Sequence, residues 1–399
     1  MKKIFLTFGI ALIAGASIAQ KSNVTNAALA YKDYESNFQQ QKAEEAVKSI
    51  IEAKGYIDNA LKHEDTKEDP KCLMYAGKIY ISTTMAYALD SASFQGLNVE
   101  KTVEDGFSYL KHSKEVDRKG RYEDDVDDFA NYWRALLSNQ GIAAYGEEKY
   151  QMAMGGLLGA AQFGEVLGIT DSSFYFFGGQ AAIIEKEYET AAEAFKKCVE
   201  VNYNVAQSTG FLAEALTELG RAEEAEKELK AAVAKYPENL EVLIQMTNFY
   251  IDQKRNEEAG NIIGEAIKLD PSNISLVYTS GIIYENMGAL DKAEAAYKKT
   301  VELDSKNTDA MYSLGVFFFN KGADANNAAN ELSISDPQYE VLIAKKKEFF
   351  ASSVEWLEKA DSLKENDLQI LEALKMAYGK SGDVENFKAT KAKIAELKG

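Results

Sequence analysis

The side chains able to do chemistry in this 399-residue chain are few: two histidines, His63 and His112, and two cysteines, Cys72 and Cys198. A histidine-assisted nucleophile would have to use one of those two imidazoles. His63 stands among Lys62, Glu64 and Asp65, and His112 between Lys111 and Ser113, so both read as solvated surface residues. Four Cys and His residues cannot furnish a set of zinc sites made from those types alone. The acidic run Glu123-Asp124-Asp125-Val126-Asp127-Asp128 lacks the alternating ligands and central glycine of a calcium loop. It precedes a helix carrying Tyr132, Trp133 and Leu136, where acidic residues suit the N-terminal end of the helix dipole. Gly155 to Ala160 is a small-residue run suited to close helix packing. The chain has no phosphate-binding loop, dinucleotide fingerprint, His-Glu-x-x-His or Cys-x-x-Cys. No catalytic residue, metal or cofactor is predicted, and the chain does not read as an enzyme.

The elements that would position any site follow from composition. A single core stops growing near roughly 250–300 residues, so this chain is either several domains or a repeat array. Hydrophobic residues make up 46 %, enough for a folded chain. Only four prolines occur, which suits long uninterrupted helices. Lys and Arg total 45 against 63 Asp and Glu, a net charge of −18. Such a field repels a phosphate backbone and attracts cationic partners, so nucleic acid is not expected as a partner.

The first residues read as an address. Met1-Lys2-Lys3 is basic, Ile4 to Ile13 is apolar apart from Thr7 and Gly9, and Ser17-Ile18-Ala19 places small residues before Gln20. That is the pattern of a secretory leader, 1–19, cleaved after Ala19. Ile4 to Ala19 is too short to span a bilayer, which needs about 20 residues. No later stretch is apolar enough, so no membrane span is expected after cleavage. The expected destination is the periplasm, with secretion as the alternative. Export places Cys72 and Cys198 where disulfides are permitted, but they fall several repeats apart and read as two small buried thiols.

A period of 34 residues organises the rest. Ala191, Ala225, Ala259 and Ala293 are spaced by 34, as are Pro237 and Pro271, Tyr250 and Tyr284, and Gly281 and Gly315. With Leu240 as position 1, small residues fall at position 8 (Gly141, Gly179, Ala213, Thr247, Gly281, Gly315) and again at 20 and 27. Large apolar residues recur at 7, 11 and 24, and a polar or Gly-containing turn lies between 14 and 18. Two helices of about a dozen residues each thus carry apolar stripes at helical spacing. Small residues at 8 and 20 allow their backbones to approach. Neither hairpin can bury its stripe alone, so hairpins must stack. The proline at position 32 is expected to begin the next helix.

This pattern resembles the tetratricopeptide repeat (TPR) family, best at 206–239, 240–273 and 274–307. The resemblance extends to exported bacterial members of unassigned role. It implies an all-α fold, a right-handed α-solenoid of stacked helix-turn-helix repeats. The expected division is 1–19 leader, 20–69 N-terminal helical hairpin, 70–133 degenerate repeat with a long connection, 134–307 array of about five repeats, 308–367 repeat with an elongated hairpin, and 368–399 terminal repeat and capping helices. The elongation is read from the repeat beginning at Thr308, whose position-27 alanine arrives 26 residues late, at Ala360.

In this family, first-helix positions 2, 5, 6, 9, 12 and 13 line a concave surface that holds a partner peptide. The resemblance therefore implies groove residues Tyr145, Phe176, Gln180, Gln245, Asn248, Tyr278, Ile282, Tyr312 and Phe319. Of the aromatics at these positions, Phe177 and Phe211 are expected to be the ones most prone to pack away against a neighbouring repeat. Cations are nearly absent from the central copies, so the family's carboxylate clamp is not expected despite Asn139 and Asn248. An interaction scaffold taking an apolar or cationic segment of a partner protein follows. The alternative is a glycan- or peptidoglycan-binding accessory protein, although only Trp133 and Trp356 could offer flat sugar platforms. The sequence leaves oligomeric state and partner identity open.

Overall fold

In the computed structural model the described residues are 2–399, with side chains from Lys21 onward. The expected leader, 1–19, and its cleavage point lie outside the residues whose side chains are described. Among the described residues there are eighteen α-helices and no strand, and the chain divides into two units, 1–204 and 205–399.

The first unit comprises α1 (Lys2–Gln39), α2 (Ala43–Leu61), α3 (Pro70–Leu89), α4 (Val99–Val116), α5 (Glu123–Gly146), α6 (Tyr150–Val166), α7 (Ser172–Ile184) and α8 (Tyr188–Glu200). They pair in order as hairpins: α1 with α2, α3 with α4, α5 with α6 and α7 with α8. A 3-10 turn, Ser91–Phe94, occupies the long connection between α3 and α4. The acidic run forms the first turns of α5 itself, which starts at Glu123, ahead of residue 134.

The second unit comprises α9 (Val205–Glu218), α10 (Ala222–Lys235), α11 (Leu240–Asp252), α12 (Asn256–Leu269), α13 (Ile274–Asn286), α14 (Leu290–Leu303), α15 (Thr308–Asn330), α16 (Pro337–Leu363), α17 (Leu368–Ser381) and α18 (Val384–Lys398). These too pair as consecutive hairpins. The fold is that of the α-solenoid class, helix-turn-helix units stacked in sequence.

One packing rule explains the 34-residue period. The small residue at position 8 lies under the large one at position 24 of the same hairpin. A Cβ on Gly179 would meet the Phe195 ring at 3.0 Å, and one on Gly281 the Tyr297 ring at 2.6 Å. At Gly141 the contact is backbone, with Leu157 N at 2.7 Å. In α15, Gly315 lies beneath Leu357 of α16, so the hairpin is elongated while its small-to-large contact is retained. Gly77 lies beneath Leu110 in the same way, across the longer α3–α4 connection. The alanines of position 20 are sealed: Ala191, Ala225, Ala259 and Ala293 are fully buried.

Turns and caps obey the same frame. Asn239, Asn273 and Asn307 recur every 34 residues, and each side chain accepts from a backbone N–H in the first turn of the following helix, at 3.2, 3.3 and 2.9 Å. The inter-helix turn requires a left-handed residue, supplied by Gly220 and Gly288 but also by Lys186 and Lys254. The prolines correct one expectation. Pro237 and Pro271 do not begin helices; they lie in the preceding turns, and the Asn caps start α11 and α13. The prolines at a first helical position are Pro70 and Pro337, behind the caps Asp69 and Asp336.

Candidate functional site

The first helices of the hairpins carry the predicted groove residues, and the two units treat them differently. In the first unit, Tyr145 of α5 donates its hydroxyl hydrogen to Gln180 Oε1 of α7 at 3.1 Å, joining two of them. The Tyr145 ring meets Phe177 edge-on at 5.6 Å. Phe177 and Ile142 are exposed, at 42 % and 57 %, and with Tyr145 form an apolar patch.

Phe176 is a correction. It is 5 % exposed, ringed by Phe177, Phe195 and Tyr203 at 5.6–5.9 Å, and is core. The expectation that Phe177 packs away is overturned with it: adjacent helical positions point to faces about 100° apart, so only one of the pair can turn inward. The sequence alone does not say which. Phe319 is also chiefly a packing residue, half-buried with its ring 5.5 Å from Phe350 of α16.

In the second unit, α9 and α11 are first helices of consecutive hairpins, and between them opens a cleft of about 580 Å³. Gln245 and Asn248, both at expected groove positions, line it. Gly210 allows the closest approach: a Cβ there would collide with the Gln245 carboxamide, so the glycine makes room for that side chain. Phe211 and Phe249 add apolar wall. Three carboxylates, Glu214, Glu218 and Asp252, complete the lining, and among the described residues none of them is ion-paired. Partial burial raises the Glu214 pKa, and repulsion from Glu218 and Asp252 adds to it.

Tyr278 and Tyr312 lie together at a smaller depression of about 200 Å³. Two pairs already span its lining: Tyr278 Oη lies 3.1 Å from Ser313 Oγ, and Lys364 Nζ lies 2.8 Å from Asp367. Ile282, also predicted, is exposed on α13.

Glu218, Asp252 and Gln207 line the cleft without standing among the expected groove residues. The frame itself carried the signal, since Glu218 and Asp252 share position 13 and Gln207 occupies position 2. Phe211 and Glu214 stand at positions 6 and 9 of the same frame, but only the α9–α11 packing brings them into one cleft.

The remaining chemistry-capable residues are structural or superficial. Cys72 and Cys198 are buried, and burial pushes Cys72 up to about 12. His112 bonds to Glu68 at 2.7 Å and Glu115 at 3.1 Å, so it is engaged rather than simply solvated; these carboxylates raise its pKa. Both tryptophans are partly buried against cores. Among the described residues no group of three or more His, Cys, Asp or Glu could hold a metal ion, and no helix is long and apolar enough to cross a membrane.

Comparison with known proteins agrees with the repeat frame. The tetratricopeptide repeat family matches residues 182–242 and again 274–307. Among solved structures, a TPR-repeat protein from Bacteroides fragilis is similar at 24 % identity, over 62 % of this chain and 98 % of its own, with a TM-score of 0.33. YrrB, described as a TPR protein with an unusual peptide-binding site, is similar at 16 % identity, over 44 % of this chain and 89 % of its own, with a TM-score of 0.35. MamA from Desulfovibrio magneticus is similar at 16 % identity, over 49 % of this chain and 97 % of its own, with a TM-score of 0.36. No curated protein matches. The two matched segments lie inside an array that keeps one 34-residue frame and one small-to-large contact, so the chain carries tetratricopeptide repeats, a motif that suits contacts between proteins.

Proposed function

We propose that the protein is an exported, non-catalytic scaffold that holds a segment of a partner protein along the face made by its first helices. The leader-like residues 1–19 support export to the periplasm, with secretion the alternative. The observation that carries the binding reading is the 580 Å³ cleft between α9 and α11, lined by Gln245 and Asn248. Amides that can both donate and accept suit the backbone of an extended segment, and aromatic neighbours supply anchors. The apolar patch of Ile142, Tyr145 and Phe177 fits an apolar part of a partner. A glycan-binding role lacks comparable support, because Trp133 and Trp356 are packed against cores rather than offered as flat platforms.

Photo-cross-linking from single positions tests this in the native cell envelope. A cross-linker at Asn248 or Ile282 should capture one protein in near-stoichiometric amount, while one at Lys227 on α10 should not. Equal capture from both faces would remove the groove assignment. Retention on cell-wall material without a protein partner would move the function to glycan binding.

A further inference from the structure

The α9–α11 cleft has a chemistry more specific than partner binding in general. Glu214 and Glu218 are one turn apart on α9, and Asp252 stands on α11 across the opening. Among the described residues no Lys or Arg forms an ion pair with any of the three, although ion pairs are common elsewhere on the chain, as at Arg255–Glu226 and Lys321–Glu294. The cleft lining contains no cation at all. Glu214, Glu218 and Asp252 are exposed to an incoming group, and like charges facing one another across an opening are relieved when a positive charge enters between them.

The kind of cation follows from the rest of the lining. The carboxylates do not converge as a metal site would, so a compact divalent ion is poorly served. Phe211 and Phe249 offer apolar wall for a hydrocarbon stem. Gln207, Gln245, Asn248 and Gln253 offer amides at the mouth, suited to the main chain that carries such a stem. The volume of about 580 Å³ exceeds what one side chain fills and leaves room for flanking backbone.

From this we infer that the α9–α11 cleft is a recognition pocket for a lysine or arginine side chain presented by an extended segment of a partner protein. The inference rests on the groove reading above and gives it a chemical class. The carboxylates would take the charge, the aromatics the stem and the amides the adjoining backbone.

The test uses the full chain and a fluorescein-labelled, extended Gly-Ser-Lys repeat peptide, with its acetyl-lysine counterpart, followed by fluorescence anisotropy. The lysine peptide should bind and the acetylated one should bind at least about tenfold more weakly. The pair Glu214→Gln and Asp252→Asn should weaken the lysine peptide by about tenfold with helicity unchanged. An equal reduction of charge elsewhere, Glu100→Gln with Glu104→Gln on α4, should leave binding nearly intact. If both pairs weaken binding equally, the attraction is diffuse charge and the pocket is refuted. Absence of binding, or indifference to acetylation, refutes it as well. Cross-linking at Asn248 separates the two ideas: a partner still captured there by the Glu214→Gln, Asp252→Asn protein would keep the groove and discard the basic-side-chain pocket.

Discussion

The first-helix faces of the two units are built on one repeat frame and end with opposite chemistry. In the first unit the predicted groove residues satisfy one another: Tyr145 bonds Gln180 and leans on Phe177, leaving an apolar, uncharged patch. In the second, the same positions of α9 and α11 leave amides and carboxylates facing an open cleft with no cation to pair. A repeat fixes where side chains are displayed, not what they do. The display is set up for a charged group only where its polar side chains remain unsatisfied.

The largest effects should come from the backbone packing beneath each face. In the first unit, a Cβ on Gly156 would meet Gly141 Cα at 2.7 Å and Leu137 O at 2.9 Å, and backbone cannot swing aside. Gly156→Ala should cost about 3 kcal/mol in urea unfolding. In the second unit, Gly281→Ala meets the Tyr297 ring instead, which a side-chain adjustment can partly relieve, and should cost about 1–2 kcal/mol. A reversed order would mean that the α5–α6 hairpin is less tightly held than its geometry implies.

Acid should distinguish the units next. Burial works to raise Glu165, but hydrogen bonds from Lys111, Tyr175 and Lys197 outweigh it and hold the carboxyl at about 2. Because the folded value lies below the unfolded one, near 4.5, its contribution is full above that pH and lost as pH falls toward 2. Glu165→Gln should therefore remove about 1–3 kcal/mol at neutral pH and flatten the acid limb of the stability curve.

Binding should separate them by salt. With the partner captured by cross-linking, Ile142→Ala plus Phe177→Ala should weaken affinity about equally at low and high salt. Glu214→Gln plus Asp252→Asn should weaken it mainly at low salt, where charges are least screened. Identical salt responses would erase the contrast between the faces.

The smallest effect has an informative sign. The Glu214 pKa is raised in the folded state, so its ionised form is a small liability at neutral pH that protonation relieves as pH falls. Glu214→Gln should leave stability unchanged or raise it by a few tenths of a kcal/mol in the same urea titration, as expected for a surface change. A clear loss would show that the carboxylate supports the fold and is not held for a ligand.

Much of the fold was legible because its repeat is a packing rule written in residue size. Gly281 under Tyr297 and Gly179 under Phe195 keep one spacing, and the late arrival of Ala360 announced the long hairpin of α15 and α16. The Asn caps at 239, 273 and 307 share the period too, and they, not the nearby prolines, start the helices. The site was legible only in part. Gln245 and Asn248 fall where the frame puts them, whereas Phe176 and Phe177 exchanged roles.

What the sequence determined by itself is the set of local and near-neighbour facts: helices, turns, hairpin pairing and the faces that must be buried. Each depends on residues within about one repeat of each other, and stacked repeats touch chiefly their neighbours. What only the tertiary structure decided is which displayed side chains are already spent on one another. Tyr145 with Gln180, and the unpaired carboxylates between α9 and α11, are outcomes of how side chains from different hairpins meet. A period in sequence records that these positions face the same way. It does not record whether a neighbour satisfies them.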